Sequence, residues 1–380
     1  MTTDITITNA RIVCSERDFT GNMHVRGCHI AGLDEGPLRL AGAENWRGDF
    51  LLPGFVELHT DNLEKHLMPR PKVSWPAFPA LLAHDAEIAA AGITTVYDAL
   101  GVGDVDEAAL RGQDMSGLLQ CFDQAEQAKL LRAEHRLHVR CELPAPNAVR
   151  LFEPFLNNPR VQLLSLMDHT PGQRQWTDIE QARVYYTSKK GWSDEKFDQV
   201  VVESKQLQEH YAVPHRRYFL DHARTRGIPL ASHDDTTPDH VAEARQAGIA
   251  VSEFPTTQLA ARSAREQGLG IVMGAPNVVR GGSHSGNISA TTLASDGLLD
   301  VLSSDYVPAS LLSAAFILIE KCGFSVAQAI ATISVNPARC AGLHDRGEIA
   351  MDKRADFARV RLVNGAPSVI AVWRGGRRIA

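Results

Sequence analysis

The sequence predicts a (β/α)8 barrel of the TIM type with a small β-sandwich domain built from both chain termini. Three observations carry this. Eight short apolar runs alternate with helical patterns through the middle of the chain. Both chain ends alternate polar and apolar residues instead. Almost every imidazole or carboxylate suited to a divalent metal stands at the end of an apolar run, where barrels of this type keep their chemistry.

The ends come first. ITITNARIV and NMHVRGCHIAGL alternate with period two, and DFARVRLV and SVIAVWRGGRRI are joined through Asn364-Gly365, a hairpin signal. Residues 1–50 and 345–380 are therefore expected to form one composite β domain. Residues 51–344 are expected to form the barrel. Its strand candidates are 51–58, 94–100, 136–143, 161–168, 228–232, 249–254, 270–275 and 299–304. Continuous apolar runs suit strands buried on both faces. Helices are expected from Ser116 toward Glu134, from Thr237-Pro238 to Gly248, and from Thr257 to Gly268, with proline or a cap at the start and glycine past the end. Residues 170–227 are a charged insertion with helical stretches near 193–212 and 214–226, placed to fold over the barrel mouth.

Composition narrows the function. The chain has 380 residues, 44% of them hydrophobic, enough for a large core. Lys and Arg total 39 and Asp and Glu 45, a net charge of −6. That balance argues against general nucleic-acid binding and leaves anionic substrates only a local basic pocket. None of the six cysteines forms a C-x-x-C pair, so reduced thiols in a cytoplasmic setting are expected. The N-terminus lacks the apolar core of a signal peptide, and no run is long enough to span a membrane. A homo-oligomer is allowed but nothing in the pattern specifies one.

The strand ends carry the chemistry. His59 and Asp61 follow the first strand, Glu142 ends the third, Asp168-His169 the fourth, and His233-Asp234-Asp235 the fifth. Glu253 lies near the end of the sixth and Asp305 ends the eighth. Residues two apart on a strand point to the same side, so His59 and Asp61 can grip one ion. Each residue also has an ordinary reading. A lone His-x-Asp arises by chance, His169 fits a satisfied core histidine, Asp234-Asp235 fits a helix-entry turn, and Asp305 fits a helix cap near Pro308. The joint pattern outweighs these. It predicts one or two divalent ions held by His59, Asp61, Glu142, His169, His233 and Asp305, with Glu253 as a further ligand. Zinc is the first candidate, with manganese or iron as alternatives.

LLPGFVELHTD resembles the first-strand motif of the amidohydrolase superfamily, and GEIAMDKRADFARV, with Asn336-Pro337-Ala338, resembles its closing signature. Two departures stand out. Asp61 occupies the place of a second histidine, and the fourth strand lacks a lysine. A bridging Glu142 resembles the arrangement of N-acetylglucosamine-6-phosphate deacetylases, and in that comparison Glu253 takes the place of the sixth-strand histidine. A closer resemblance runs through ELHTDNLEKH, MPRPKVSWPA, SLMDHTPGQRQ, ASHDD, MGAPNVVRGGSHSGN and LSSDYVPASLL. These blocks are similar to the α-D-ribose 1-methylphosphonate 5-triphosphate diphosphatases of the bacterial carbon–phosphorus lyase pathway. The resemblance implies hydrolysis of a ribose 5-triphosphate to a 5-phosphate and pyrophosphate in phosphonate catabolism. It also implies a catalytic proton acceptor at Asp305. Arg70, Lys72, Arg174 and Arg280, in loops after strand ends, suit the phosphates, as do Ser283 and His284 in the glycine-bearing loop after the seventh strand. A cyclic-amide hydrolase or deaminase on the same scaffold, and a metal-free scaffold protein, are the alternatives.

Overall fold

The computed structural model describes residues 4–70, 73–104, 109–176, 179–283 and 286–380. Eight parallel strands follow one another around the barrel in chain order: Phe55–Thr60, Ile93–Val102, Glu134–Glu142, Val161–Met167, Leu230–His233, Val251–Glu253, Gly270–Gly274 and Val301–Ser303. A parallel bridge between Thr60 and Asp305 joins the last to the first. Glu57 reinforces that seam. One of its oxygens accepts the His59 backbone N–H at 2.7 Å and the other the Ser304 N–H at 2.6 Å. Val56, Tyr97, Leu163, Ala231, Val251, Val272 and Val301 form one buried cluster. Residues from seven strands meet in this way only across the barrel lumen, which is packed rather than hollow. A larger cluster lies between the strands and the surrounding helices.

The expected first strand, 51–58, divides at Gly54. A side chain there would overlap Thr94, whose Oγ1 lies 2.4 Å from where its Cβ would stand, so only glycine lets the chain pass so close. Before it, Phe50–Pro53 belongs to a second sheet, paired with Asp4–Val13 on one side and Phe357–Val363 on the other. That sheet has eight strands drawn from both chain ends. Its core includes Trp46, Phe357 and Trp373, the last two stacked at 4.8 Å. Asn364 and Gly365 both have positive φ, 53° and 82°, as a tight hairpin turn requires.

The insertion holds helices Ile179–Lys190 and Asp194–Arg226. The second is continuous through Pro214, where the sequence suggests a break. His215 explains the continuity. It is buried, its Nδ1–H donates to the Leu143 carbonyl at 3.0 Å, and Phe219 and Ala223 bury the same face. His210, whose carbonyl loses its usual helical donor to the proline, is exposed.

Candidate active site

The strand ends open on a cavity of about 1000 Å³. His59, Asp61, Glu142, His169, His233, Asp234 and Asp305 all line it. Three strands leave the barrel through left-handed backbone at non-glycine residues: Asp234 (φ 56°), Phe254 (φ 55°) and Asp305 (φ 54°). Such positions cost about 1–3 kcal/mol each and gather where function holds them. The turn at Phe254 sets its ring edge-on to His59 (4.9 Å) and to His233 (5.5 Å).

Of the four groups of possible ligands among the described residues, one, made of His59, His138 and Glu253, is fully buried behind the mouth. Two line the cavity: His59, Asp61 and Asp305, and His169, His233 and Asp234. Within them, His59 Nε2 lies 3.7 Å from Asp61 Oδ1, and Asp234 Oδ2 lies 3.5 Å from His233 Nε2 and 3.9 Å from His169 Nε2. Among the described residues, none of these three Nε2 atoms has a hydrogen-bond partner. The separations are too long for good hydrogen bonds. They suit ligands that share an ion, since two donors each about 2.1 Å from it at a tetrahedral angle stand about 3.4 Å apart. Mixed imidazole and carboxylate donors with unengaged nitrogens facing a cavity fit a divalent cation in each group.

The opposite ring nitrogens are held. Glu253 Oε1 accepts from His59 Nδ1 at 2.8 Å, and its Oε2 from His233 Nδ1 at 2.9 Å. Burial works to raise the Glu253 carboxyl, but the His59 and His138 charges and both hydrogen bonds hold it well below its ordinary value. Glu142 serves His169 likewise, accepting its backbone N–H at 2.9 Å and its Nδ1–H at 2.5 Å. Burial opposes ionisation there too, and His169 outweighs it, holding the carboxyl down to about 2. Asp305 differs. Burial above all, with the neighbouring Asp61 charge, pushes it up to about 6 against the pull of His59 and Arg140.

Cations line the same cavity: Arg111, Arg140 and Arg280. Arg140 donates from Nη1 to both Asp61 oxygens, at 2.7 and 3.0 Å, and among the described residues its Nε has no partner. Arg111 reaches the site across Gly101, where a Cβ would stand 2.7 Å from its side chain. Arg280 ends the short helix Ala275–Arg280 and is exposed at the rim, with Ser283 beyond it. Arg174 does not join them. It is turned to Asp235 (2.6 Å) and the His233 carbonyl (3.1 Å), so it braces the fifth strand end. Arg70 is exposed and does not line the cavity. Lys72 and His284 lie outside the described residues. Asp305 is no helix cap, since Ala309 caps the helix Ser310–Cys322. The sequence singles out neither Arg111 nor Arg140, leaves Asp234 a strand-end carboxylate outside the expected ligand set, and gives no hint that Glu253 holds two Nδ1 atoms. One signal was there: Arg140 stands two before Glu142 on one strand and so shares its side.

A second buried cluster lies off the mouth. His84 Nε2 donates to Asp98 (2.6 Å) and His135 Nδ1 to its other oxygen (2.8 Å). His135 Nε2 reaches Asp85 (3.2 Å), and His84 Nδ1 meets Asn62 Nδ2 (3.1 Å). Burial works against charge on His135, but Asp98 and Asp85 prevail and push its pKa up to about 9.

A parallel barrel with donor groups at its strand ends, joined to a sheet made of both termini, defines a metal-dependent hydrolase of the amidohydrolase class. Residues 202–379 match the amidohydrolase family. The chain is also 44% identical, over 98% of its length and 99% of the relative's, to the α-D-ribose 1-methylphosphonate 5-triphosphate diphosphatase of Escherichia coli, and it belongs to that family. Solved structures share the fold at lower identity. N-acetyl-D-glucosamine-6-phosphate deacetylase from Mycobacterium smegmatis has a TM-score of 0.65 at 15% identity, with both chains covered in full. N-isopropylammelide isopropylaminohydrolase from Burkholderia multivorans has a TM-score of 0.65 at 17% identity, over 99% of this chain and 98% of that one. Among the described residues no helix is long and apolar enough to cross a membrane.

Proposed function

We propose that the chain hydrolyses α-D-ribose 1-methylphosphonate 5-triphosphate to the 5-phosphate and pyrophosphate in phosphonate catabolism. One observation carries this beyond the family relationship: both donor groups and three arginines line a single cavity. A cyclic amide or an aminopurine-like ring has no use for so many cations, whereas a triphosphate does.

His59, Asp61 and Asp305 would hold one divalent ion, and His169, His233 and Asp234 a second, with zinc the first candidate and manganese or iron the alternatives. Such ions would acidify water and draw charge from phosphoryl oxygens. Glu142 then stands behind His169 as its Nδ1 acceptor rather than bridging two ions. Asp305, at the end of the eighth strand and lining the cavity beside His59 and Asp61, would take the proton of the attacking water. Water adds across the α–β anhydride bond and pyrophosphate departs with the electron pair. Arg111, Arg140 and Arg280 offset the charge gathering on the leaving group. All six cysteines are free, in keeping with a reducing cytoplasm.

The test is turnover of that triphosphate in 18O-labelled water, followed by 31P NMR. Pyrophosphate should appear first, with the label in the ribose 5-phosphate. Orthophosphate as first product, or label in pyrophosphate, would overturn the assignment of the attacked phosphorus.

A further inference from the structure

The sixth-strand carboxylate sits where a ligand is expected, yet its hydrogen bonds point elsewhere. Glu253 is 1% exposed, and its two oxygens meet two different imidazoles, one from each donor group. A carboxylate only accepts, so both Nδ1 atoms must carry the proton. The proton on Nδ1 leaves Nε2 as each ring's lone-pair nitrogen, and both Nε2 atoms face the donors at the mouth. The rings lie 5.9 Å apart and nearly parallel, 15° between planes, within reach of one carboxylate. Phe254 stands steeply against both, at 73° to His59 and 84° to His233.

We infer that Glu253 is not a metal ligand but a positioning residue: one buried carboxylate sets the tautomer of His59 and of His233 together, and so couples the two cation subsites. This rests on the two-subsite reading above. Because each oxygen serves one ring, a neutral isostere cannot replace the carboxylate. The amide of a glutamine accepts at its oxygen alone, and its NH2 must donate. One imidazole of the pair would then turn to the Nε2–H tautomer, which cannot ligate without losing that proton. The other would keep its nitrogen free.

Two measurements test this. In metal-free wild-type protein labelled with 15N-histidine, His59 and His233 should both show Nδ1–H and an unprotonated Nε2 once the rings are neutral, and zinc should shift Nε2 only. In Glu253→Gln, one of the two should switch tautomer. Zinc affinity, titrated against a chelator, should then fall 10–100-fold at one subsite and stay within a few-fold at the other, the usual size of a lost partner behind a ligand. Glu253→Ala should weaken both. Zinc arriving on Nδ1 of either ring, or a glutamine variant with both tautomers and both affinities unchanged, would overturn the inference. The wild-type spectrum needs no variant to fold. A wild type that binds no zinc would sink the metal reading alone, because the tautomers of the metal-free protein still decide the role of Glu253.

Discussion

Two clusters in this protein are made of the same parts and leave different atoms open. At the barrel mouth His59, His169 and His233 meet Asp61, Asp234 and Asp305, and off the mouth His84 and His135 meet Asp98 and Asp85. Both pack histidine against carboxylate. The difference lies in what each ring nitrogen still has to offer. In the side cluster all four nitrogens have partners at 2.6–3.2 Å. At the mouth the Nδ1 atoms are held, and among the described residues the Nε2 atoms are not. A closed network spends its polarity on the fold, and an open one can bind. Composition and burial do not separate the two, but the count of unengaged lone pairs does.

The largest expected effect tests the open cluster. Asp305→Asn keeps size and much of the hydrogen bonding but loses basicity. It should lower kcat by about 10²–10⁴, with KM changing much less, as general-base removal does. Metal content must be measured on the same sample. Retained metal with turnover within a few-fold of wild type would make Asp305 a passive group and erase its distinction from the carboxylates of the side cluster.

The closed cluster should answer in stability instead. His135→Leu leaves Asp98 and Asp85 buried with fewer partners, and should cost about 3–5 kcal/mol by urea unfolding. The bound metal per folded chain should not change. If it falls, the side cluster binds metal and the comparison fails.

A smaller effect sharpens the mouth's claim to phosphate. Arg280→Ala should lower kcat/KM about tenfold or more, since a charge-assisted bond contributes about 1.5–3 kcal/mol. Wild-type kinetics would place the seventh-strand loop outside the site.

The smallest is a pH effect on the closed cluster. The pKa of His135 is raised in the fold to about 9. Its contribution is therefore complete below the unfolded value of about 6.5 and disappears as pH rises through the folded value. The Tm should fall by about 2–6 °C across that window, on top of any background slope, and the step should be missing in His135→Leu. Asp98, held down to about 2 by the two histidines against its burial, acts at the other end: its share is lost as pH falls below the ordinary aspartate range. A step of equal size in the leucine variant would assign the loss to another group.

The architecture was legible because apolar runs and strand ends are local features. All eight strand candidates overlap a barrel strand, the first also taking in Phe50–Pro53 of the terminal sheet. Pairing partners were not local. Arg174 reads as a free loop cation until Asp235 folds beneath it. Pro214 reads as a break until His215 and Phe219 pack on the helix face beyond it. Glu253 sits where the superfamily places a ligand, but which side of two rings it faces depends on strands far apart in sequence. Arg111 needed Gly101 to be seen as a passage rather than a breaker.

The barrel seam also sets a schedule. Glu57 grips a backbone N–H 247 residues further on, and Phe50–Pro53 waits for Phe357–Val363. A ribosome adds about 5–20 residues per second, so the first strand stands with an unpaired edge for on the order of 12–50 s before Ser304 is made. In the course of that time the nascent chain gains His59, Asp61, Glu142 and His169 in turn but has no eighth strand to bring Asp305 beside them. A chain that ends before the eighth strand therefore lacks one of the three proposed donors of the first subsite. The unpaired edge is what a chaperone would have to shield until the last strands arrive.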